Sequence, residues 1–300
     1  MSARSFGLLA LVGVLTSTAT AEQPVKMTAL TAEPAQVTLT HADDQQRLLI
    51  TGKLADGSLR DRTRGVKYIS GNSDIAAVSP QGLVMPKSVG QTTIEVADSE
   101  SRLRLSVPVT VKDMTRRSVS FANDVMPILA KTGCNSGACH GAASGKKGFK
   151  VSLRGYDPPV DYLALTRGTT GRRVNLNEPG NSLLLLKPTG QVPHEGGKRF
   201  DAHSAYAQTL QRWMAEGAGS DTSSASRLVK LEVSPSFRTF AEPRLEQQLL
   251  VVAHYSDGSR RDVTADAVVG RRRRQQREGR PRGQLQANGA VSSHRGHLWR

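Results

Sequence analysis

Three hundred residues leave room for about two domains, and only two cysteines exclude a small scaffold framed by several disulfides. The formal net charge of +15 would ordinarily point to nucleic acid, but the last thirty residues hold nine of the 41 basic side chains and a single acid, Glu278. That tail carries +8, so the body is mildly basic at +7, and with aromatics at 4% its cores must be built from Val, Leu and Ile.

At the start, Arg4 precedes an apolar run from Phe6 to Leu15, and Ala19-Thr20-Ala21 offers small residues for cleavage. This is the layout of a secretory signal over residues 1–21. The run is too short to span a bilayer, and no later stretch approaches about 20 apolar residues, so no transmembrane span is expected. The mature chain is expected to be exported, to the periplasm or cell envelope.

Residues 27–111 read as short strands. Alternating Leu48 and Ile50 lead to Leu54-Ala-Asp-Gly-Ser-Leu-Arg-Asp-Arg-Thr63, where Asp56-Gly57 between two apolar runs is a hairpin signal. Val66–Ser70, Ile75–Val78, Gly82–Val84, Thr92–Val96 and Leu105–Val111 continue at regular spacing, the pattern of a β-sandwich. Asp-Gly-Ser, then Ser-Gly-Asn-Ser-Asp-Ile-Ala-Ala-Val-Ser, then Gly-Leu-Val resembles the bacterial Ig-like group 2 module. That resemblance implies a spacer or adhesive module without catalytic residues.

After a short linker at 112–117 the period changes. Phe121, Val125, Ile128 and Leu129 fall on one face of a helix, with Ser120 or Asn123 as cap, Gly133 as stop, and Pro127 requiring a short or kinked element. Immediately afterwards comes Cys134-Asn-Ser-Gly-Ala-Cys139-His140. Two thiols followed at once by an imidazole suit covalent attachment of haem c, the thiols adding as thioethers and His140 becoming the proximal iron ligand. The usual spacing is two residues between the thiols; here it is four, with Gly137 and small neighbours to fold the wider loop. A Cys134–Cys139 disulfide and a zinc site using Cys134, Cys139 and His140 are the competing readings. Tyr206, Leu210, Trp213 and Met214 form a second helical stripe closed by Gly217. Gly217–Ser226 has linker composition.

The segments 121–129, 133–141, 148–157, 182–190, 192–197 and 212–218 resemble, in order, the planctomycete-type cytochrome C domain. The resemblance covers 118–218 and implies a small all-α cytochrome c-like fold whose terminal helices pack together. Many such domains carry Met-Pro-Pro where this chain has Val192-Pro193-His194. A methionine ligand is thus absent at that position, and His194, in a Pro/Gly-rich loop, is the candidate distal ligand. His203, Met126, Met214 and an open iron are the alternatives.

Tyr255-Ser-Asp-Gly-Ser-Arg-Arg-Asp-Val-Thr264 repeats the earlier hairpin, so residues 228–269 read as the first half of another Ig-like unit, with strand edges left unpaired. From 270 to 300 an arginine-rich, aperiodic tail replaces the strands that the repeat calls for, and disorder is expected there. No specific nucleic acid partner follows from it.

The expected architecture is therefore multidomain: an all-β Ig-like sandwich, a small all-α cytochrome c-like domain and a partial Ig-like β module. The expected function is electron transfer by covalently bound haem c to a redox partner protein. The alternative is a structural or adhesive envelope protein with a Cys134–Cys139 disulfide. No Gly-x-Ser-x-Gly elbow, phosphate loop or His-Glu-x-x-His site is present, and no catalytic residue is assigned.

Overall fold

The computed structural model describes residues 25–169, 171–239, 246–269 and 284–286. The expected signal segment and most of the basic tail lie outside the described residues. Among the described residues, β-structure lies on either side of a stretch, Phe121 to Ala215, to which the helices are confined.

The first β unit contains β1 (Met27–Glu33), β2 (Val37–Leu39), β3 (Gln46–Arg47), β4 (Leu49–Leu54) and β5 (Leu59–Asp61). It continues with β6 (Lys67–Ser70), β7 (Ala76–Val78), β8 (Leu83–Pro86), β9 (Gly90–Ala97) and β10 (Arg104–Val111). They form sheets of order β1-β4-β5, β2-β10-β9-β6 and β3-β8-β7. The β4–β5 hairpin turns where the sequence predicts it. Gly57 takes φ +83°, which other residues resist, and Asp56 accepts bonds from the N–H and hydroxyl of Ser58. Alternate residues such as Leu39, Ile50, Val84, Ile94, Val107 and Val109 point into one core between the sheets. Full burial of each such side chain contributes about 1.5–3 kcal/mol.

In the middle unit, Ser120 caps the first helix by accepting the Asn123 N–H at 2.8 Å. The stripe is not a plain α-helix: Phe121–Val125 is a π-turn that runs into α1 (Met126–Lys131). Pro127 has no N–H to give the Asn123 carbonyl, so the ladder must change there. Gly133, at φ +78°, ends the segment. There follow α2 (Pro158–Thr166), α3 (Leu183–Leu186) and α4 (Ala205–Ala215). Phe121, Met126, Leu165, Leu210, Trp213 and Met214 share one core, with the Phe121 and Trp213 ring centroids 5.5 Å apart. The first and last helices thus pack together.

The stretch 217–226, whose composition predicts a linker, instead folds onto the helices. Tyr162 donates to the Ala218 carbonyl at 3.0 Å, the Ala122 N–H donates to Asp221 at 3.0 Å, and Asn123 donates to the Ser226 carbonyl at 2.9 Å. The Asp221 carboxylate thereby satisfies an N–H left open at a helix start, while the Ala218 and Ser226 carbonyls take side-chain donors.

The second β unit holds β11 (Leu228–Ser234), β12 (Phe237–Thr239), β13 (Leu250–Tyr255) and β14 (Arg260–Asp262). Its sheet order β11-β13-β14 copies β1-β4-β5, including the register shift near the start of the first strand. Thr63 accepts the Ile50 N–H at 3.0 Å, and Thr264 accepts the Val251 N–H at 2.9 Å, at the same place in each unit. Within the tail, β15 (Gln284–Gln286) pairs with β12, so these three residues are strand where disorder is expected. Strand pairing needs little apolar area when a free edge is at hand.

Candidate functional site

The loop after α1 is tightly wound. The Cys134 N–H donates to the Leu129 carbonyl at 2.8 Å, His140 N–H to Cys134 carbonyl at 3.0 Å, and Gly141 N–H to Ser136 carbonyl at 3.1 Å. The four residues between the thiols are thus taken up by a compact turn. A Cβ on Gly141 would lie 2.1 Å from the Asn135 carbonyl oxygen, so the turn needs glycine there. Farther on, the Val151 N–H donates to the His140 carbonyl at 3.0 Å. Asp161 on α2 accepts both the N–H and the hydroxyl of Ser152, which anchors this return strand to the helices. Burial raises the Asp161 carboxyl above its ordinary pKa, against the pull of those two bonds.

Both thiols are free. Cys134 packs against the helical core with Thr132 Oγ1 3.3 Å from its sulfur. Burial pushes the Cys134 thiol up, opposed by the Thr132 hydroxyl and the Arg199 guanidinium. Arg199 donates to the Cys139 sulfur at 3.2 Å.

His140 Nδ1 lies 3.1 Å from the Phe149 carbonyl oxygen, and His194 Nδ1 lies 2.9 Å from that of Gly197. A carbonyl only accepts, so each ring carries its proton on Nδ1 and leaves the Nε2 lone pair as the donor atom. Burial holds the His140 pKa below its ordinary value, with the Phe149 bond acting the other way. The two rings are within 13° of parallel and their centroids are 6.4 Å apart. Two imidazoles sharing one metal ion, with metal–nitrogen bonds of about 2 Å, would have centroids about 6 Å apart with their in-plane lone pairs pointing at each other. These rings match the separation but are stacked, so joint ligation would require a ring to turn. The Phe149 ring lies 4.5 Å from that of His140 and carries the Arg173 guanidinium over its face, 4.3 Å from the centroid. Lys146 and Glu195 bridge the two histidine loops at 3.2 Å.

The residues present fit haem c in two respects, two free thiols and a backbone-fixed His140 beside them, and a second imidazole lies near, stacked on His140. Asn135 adds a buried amide nitrogen without a protein acceptor inside the loop. Among the described residues no group of three or more His, Cys, Asp or Glu is arranged to hold a metal ion, so Cys134, Cys139 and His140 do not make a tetrahedral zinc set. Met126 and Met214 are wholly buried in the helical core, and His203 stands exposed before α4. Sequence reasoning brought Cys134, Cys139, His140 and His194 forward, and the fold brings them together. It missed Arg199, Phe149 and Asp161. Arg199 stands two residues past the Val192–Gly197 segment, and only that proximity signalled it.

No family model matches the chain, and no curated protein matches it. Among solved structures, domains 4 and 5 of the S-layer protein SbsC align at 20% identity over 30% of this chain and 54% of theirs, with a TM-score of 0.26. Domains 5–6 of the same protein align at 20% identity over 29% of this chain and 45% of theirs, at 0.25. An EHEC O157:H7 intimin mutant aligns at 19% identity over 26% of this chain and 37% of that one, at 0.20. The chain thus spans about half or less of each of these structures. Among the described residues no helix is long and apolar enough to cross a membrane.

Proposed function

We propose that this chain is an exported c-type cytochrome-like protein of the periplasm or cell envelope, passing single electrons to a redox partner protein. The observation that carries the reading is the two free thiols beside His140, whose Nδ1 is fixed by a backbone carbonyl, with His194 held likewise close by. In this reading Cys134 and Cys139 would hold the porphyrin as thioethers, and His140 and, after a turn of its ring, His194 would ligate the iron. Haem c would supply the one-electron iron couple. The Phe149 carbonyl fixes the His140 tautomer and makes the ring a stronger donor, as backbone partners of metal-bound histidines do. Burial keeps that imidazole neutral and ready to ligate. Arg199 sets a fixed positive charge beside Cys139, which opposes further positive charge at the site and so favours its reduced form. The six ordered sequence segments and the packing of Phe121 on Trp213 support a cytochrome c-like middle unit.

The second reading is a structural or adhesive envelope protein built on Ig-like units, with a Cys134–Cys139 disulfide and no haem. It is favoured by the share of the fold given to the two β units and by their matching hydrogen bonds at Thr63 and Thr264.

Expression with c-type maturation machinery separates them. The first reading expects one haem covalently added by mass and a Soret band that survives denaturation and acid–acetone extraction. Replacing Cys134 and Cys139 with Ala should abolish both. A colourless product containing an intact disulfide would establish the second reading instead.

A further inference from the structure

The two β units touch each other, and the contacts come in reciprocal pairs. Asp61, at the end of β5, accepts the N–H of Gln248. Asp262, its counterpart at the end of β14, accepts the N–H of Arg47 at 2.6 Å. Arg47 and Gln248 are counterparts too, each two residues before the strand that opens the hairpin's first arm in the numbering of Leu49 and Leu250. Between these bonds, Ser234 donates its hydroxyl to the Glu33 carboxylate at 2.5 Å across 201 residues, and these two residues end β1 and β11. Two positions that exchange bonds around a third that meets its own counterpart are the pattern of a two-fold relation, here between repeats of one chain. Gln247 also reaches Asp61 at 3.5 Å, and Arg64 stands 3.9 Å from Glu246 at the rim.

We infer that Glu33, Arg47 and Asp61 form a docking face whose partner is the matching face of the second β unit, and that the Glu33–Ser234 pair at the local axis makes the pairing selective. Two first units meeting in this way would bring one Glu33 carboxylate against another, a like-charge contact that suppresses the match. First against second instead gives a charge-assisted hydrogen bond at the same place. Both partners sit on one chain, so the high effective concentration of the second unit favours the intramolecular pair over a second copy. The inference is independent of what the helical unit binds.

The test uses the full mature chain. Ser234→Glu places two carboxylates at the axis and should open the contact. Amide exchange at Arg47 and Gln248 should accelerate about tenfold or more, with a larger hydrodynamic radius. The pair Glu33→Ser with Ser234→Glu exchanges the two groups across the axis and should restore both measurements. Protected amides at Ile94 and Val107, within the β9–β10 ladder, report that the first unit remains folded throughout. Should Ser234→Glu misfold the second unit, Asp262→Asn keeps an oxygen for the Thr264 N–H within its own unit but weakens the charged acceptor of the Arg47 N–H, and should still accelerate exchange at Arg47. Unchanged exchange at Arg47 in both variants, or a double variant as open as Ser234→Glu alone, would overturn the inference.

Discussion

His140 and His194 face each other as near-parallel rings, 6.4 Å between centroids, although 54 positions separate them in the chain. If both ligate iron, the ferric protein should be low-spin and six-coordinate. His194→Ala should convert it to a high-spin or water-ligated form, and added imidazole should bring the low-spin spectrum back. An optical spectrum indifferent to the substitution would remove His194 from the site.

The turn between the thiols predicts a contrast between two glycines. At Gly141 an added Cβ meets the Asn135 carbonyl oxygen at 2.1 Å, whereas at Gly137 the nearest atom is Leu153 Cδ1 at 3.7 Å. Gly141→Ala should cost about 1–3 kcal/mol of stability and lower haem attachment per chain. Gly137→Ala should stay within about 0.5 kcal/mol of the parent. Thermal melts with haem quantification of the two variants side by side would check this, and equal losses would count against the described turn.

A third expectation concerns Arg62 and Asp98, a buried pair 2.7 Å apart in the first β unit. Burial works to raise the Asp98 carboxyl, but Arg62, Ser101 and the Glu100 N–H outweigh it and hold the group below 3.8. A carboxyl with a depressed folded pKa stabilises above its unfolded value and loses that stabilisation as pH falls through the folded one. Melting of this unit should therefore be steady down to about pH 4 and decline below it. Arg62→Met leaves the carboxylate buried without its cation and should cost about 3–5 kcal/mol near neutrality. The penalty should shrink in acid, where Asp98 is protonated; a constant penalty would mean that Arg62 acts through packing alone.

The repeated threonines offer a fourth. Thr63→Val and Thr264→Val each strip the acceptor from a buried N–H, that of Ile50 or Val251, and should each cost about 1–3 kcal/mol. Hydrogen exchange should quicken at Ile50 in the first variant and at Val251 in the second. No change at either amide would show that the hydroxyls are replaceable.

What could be read in advance was what depends on neighbours in the chain. Asp56-Gly57 and Asp257-Gly258 turn as hairpins because a short turn needs positive φ, and both glycines adopt it. The helical stripes lie inside because periodicity alone places Phe121, Val125, Leu210 and Trp213 on buried faces. The adjacency of Cys139 and His140 likewise declares itself. The choice of Phe149 as the carbonyl beside His140 does not, since any backbone carbonyl in a returning loop can serve. Arg199 near Cys139 and Asp161 beneath Ser152 depend on how loops close over distances that composition does not encode. The anchoring of 217–226 was hidden for the same reason: its Gly and Ser content describes the freedom of the backbone, not the partners waiting at Ala122 and Asn123.

The helical unit leaves and rejoins the β units almost at one place, because Glu216 at the end of α4 accepts the Val119 N–H at 2.7 Å. The unit is also tied directly to the second β unit, Lys131 donating to the Ala267 carbonyl at 2.6 Å and Arg261 to Asp124 at 3.0 Å. Tension applied between the two β units is therefore shared by the neck, by their own contacts and by these bonds. Pulling the two β units apart would load the end of α1 through Lys131, three residues before Cys134, as well as the neck between Val119 and Glu216.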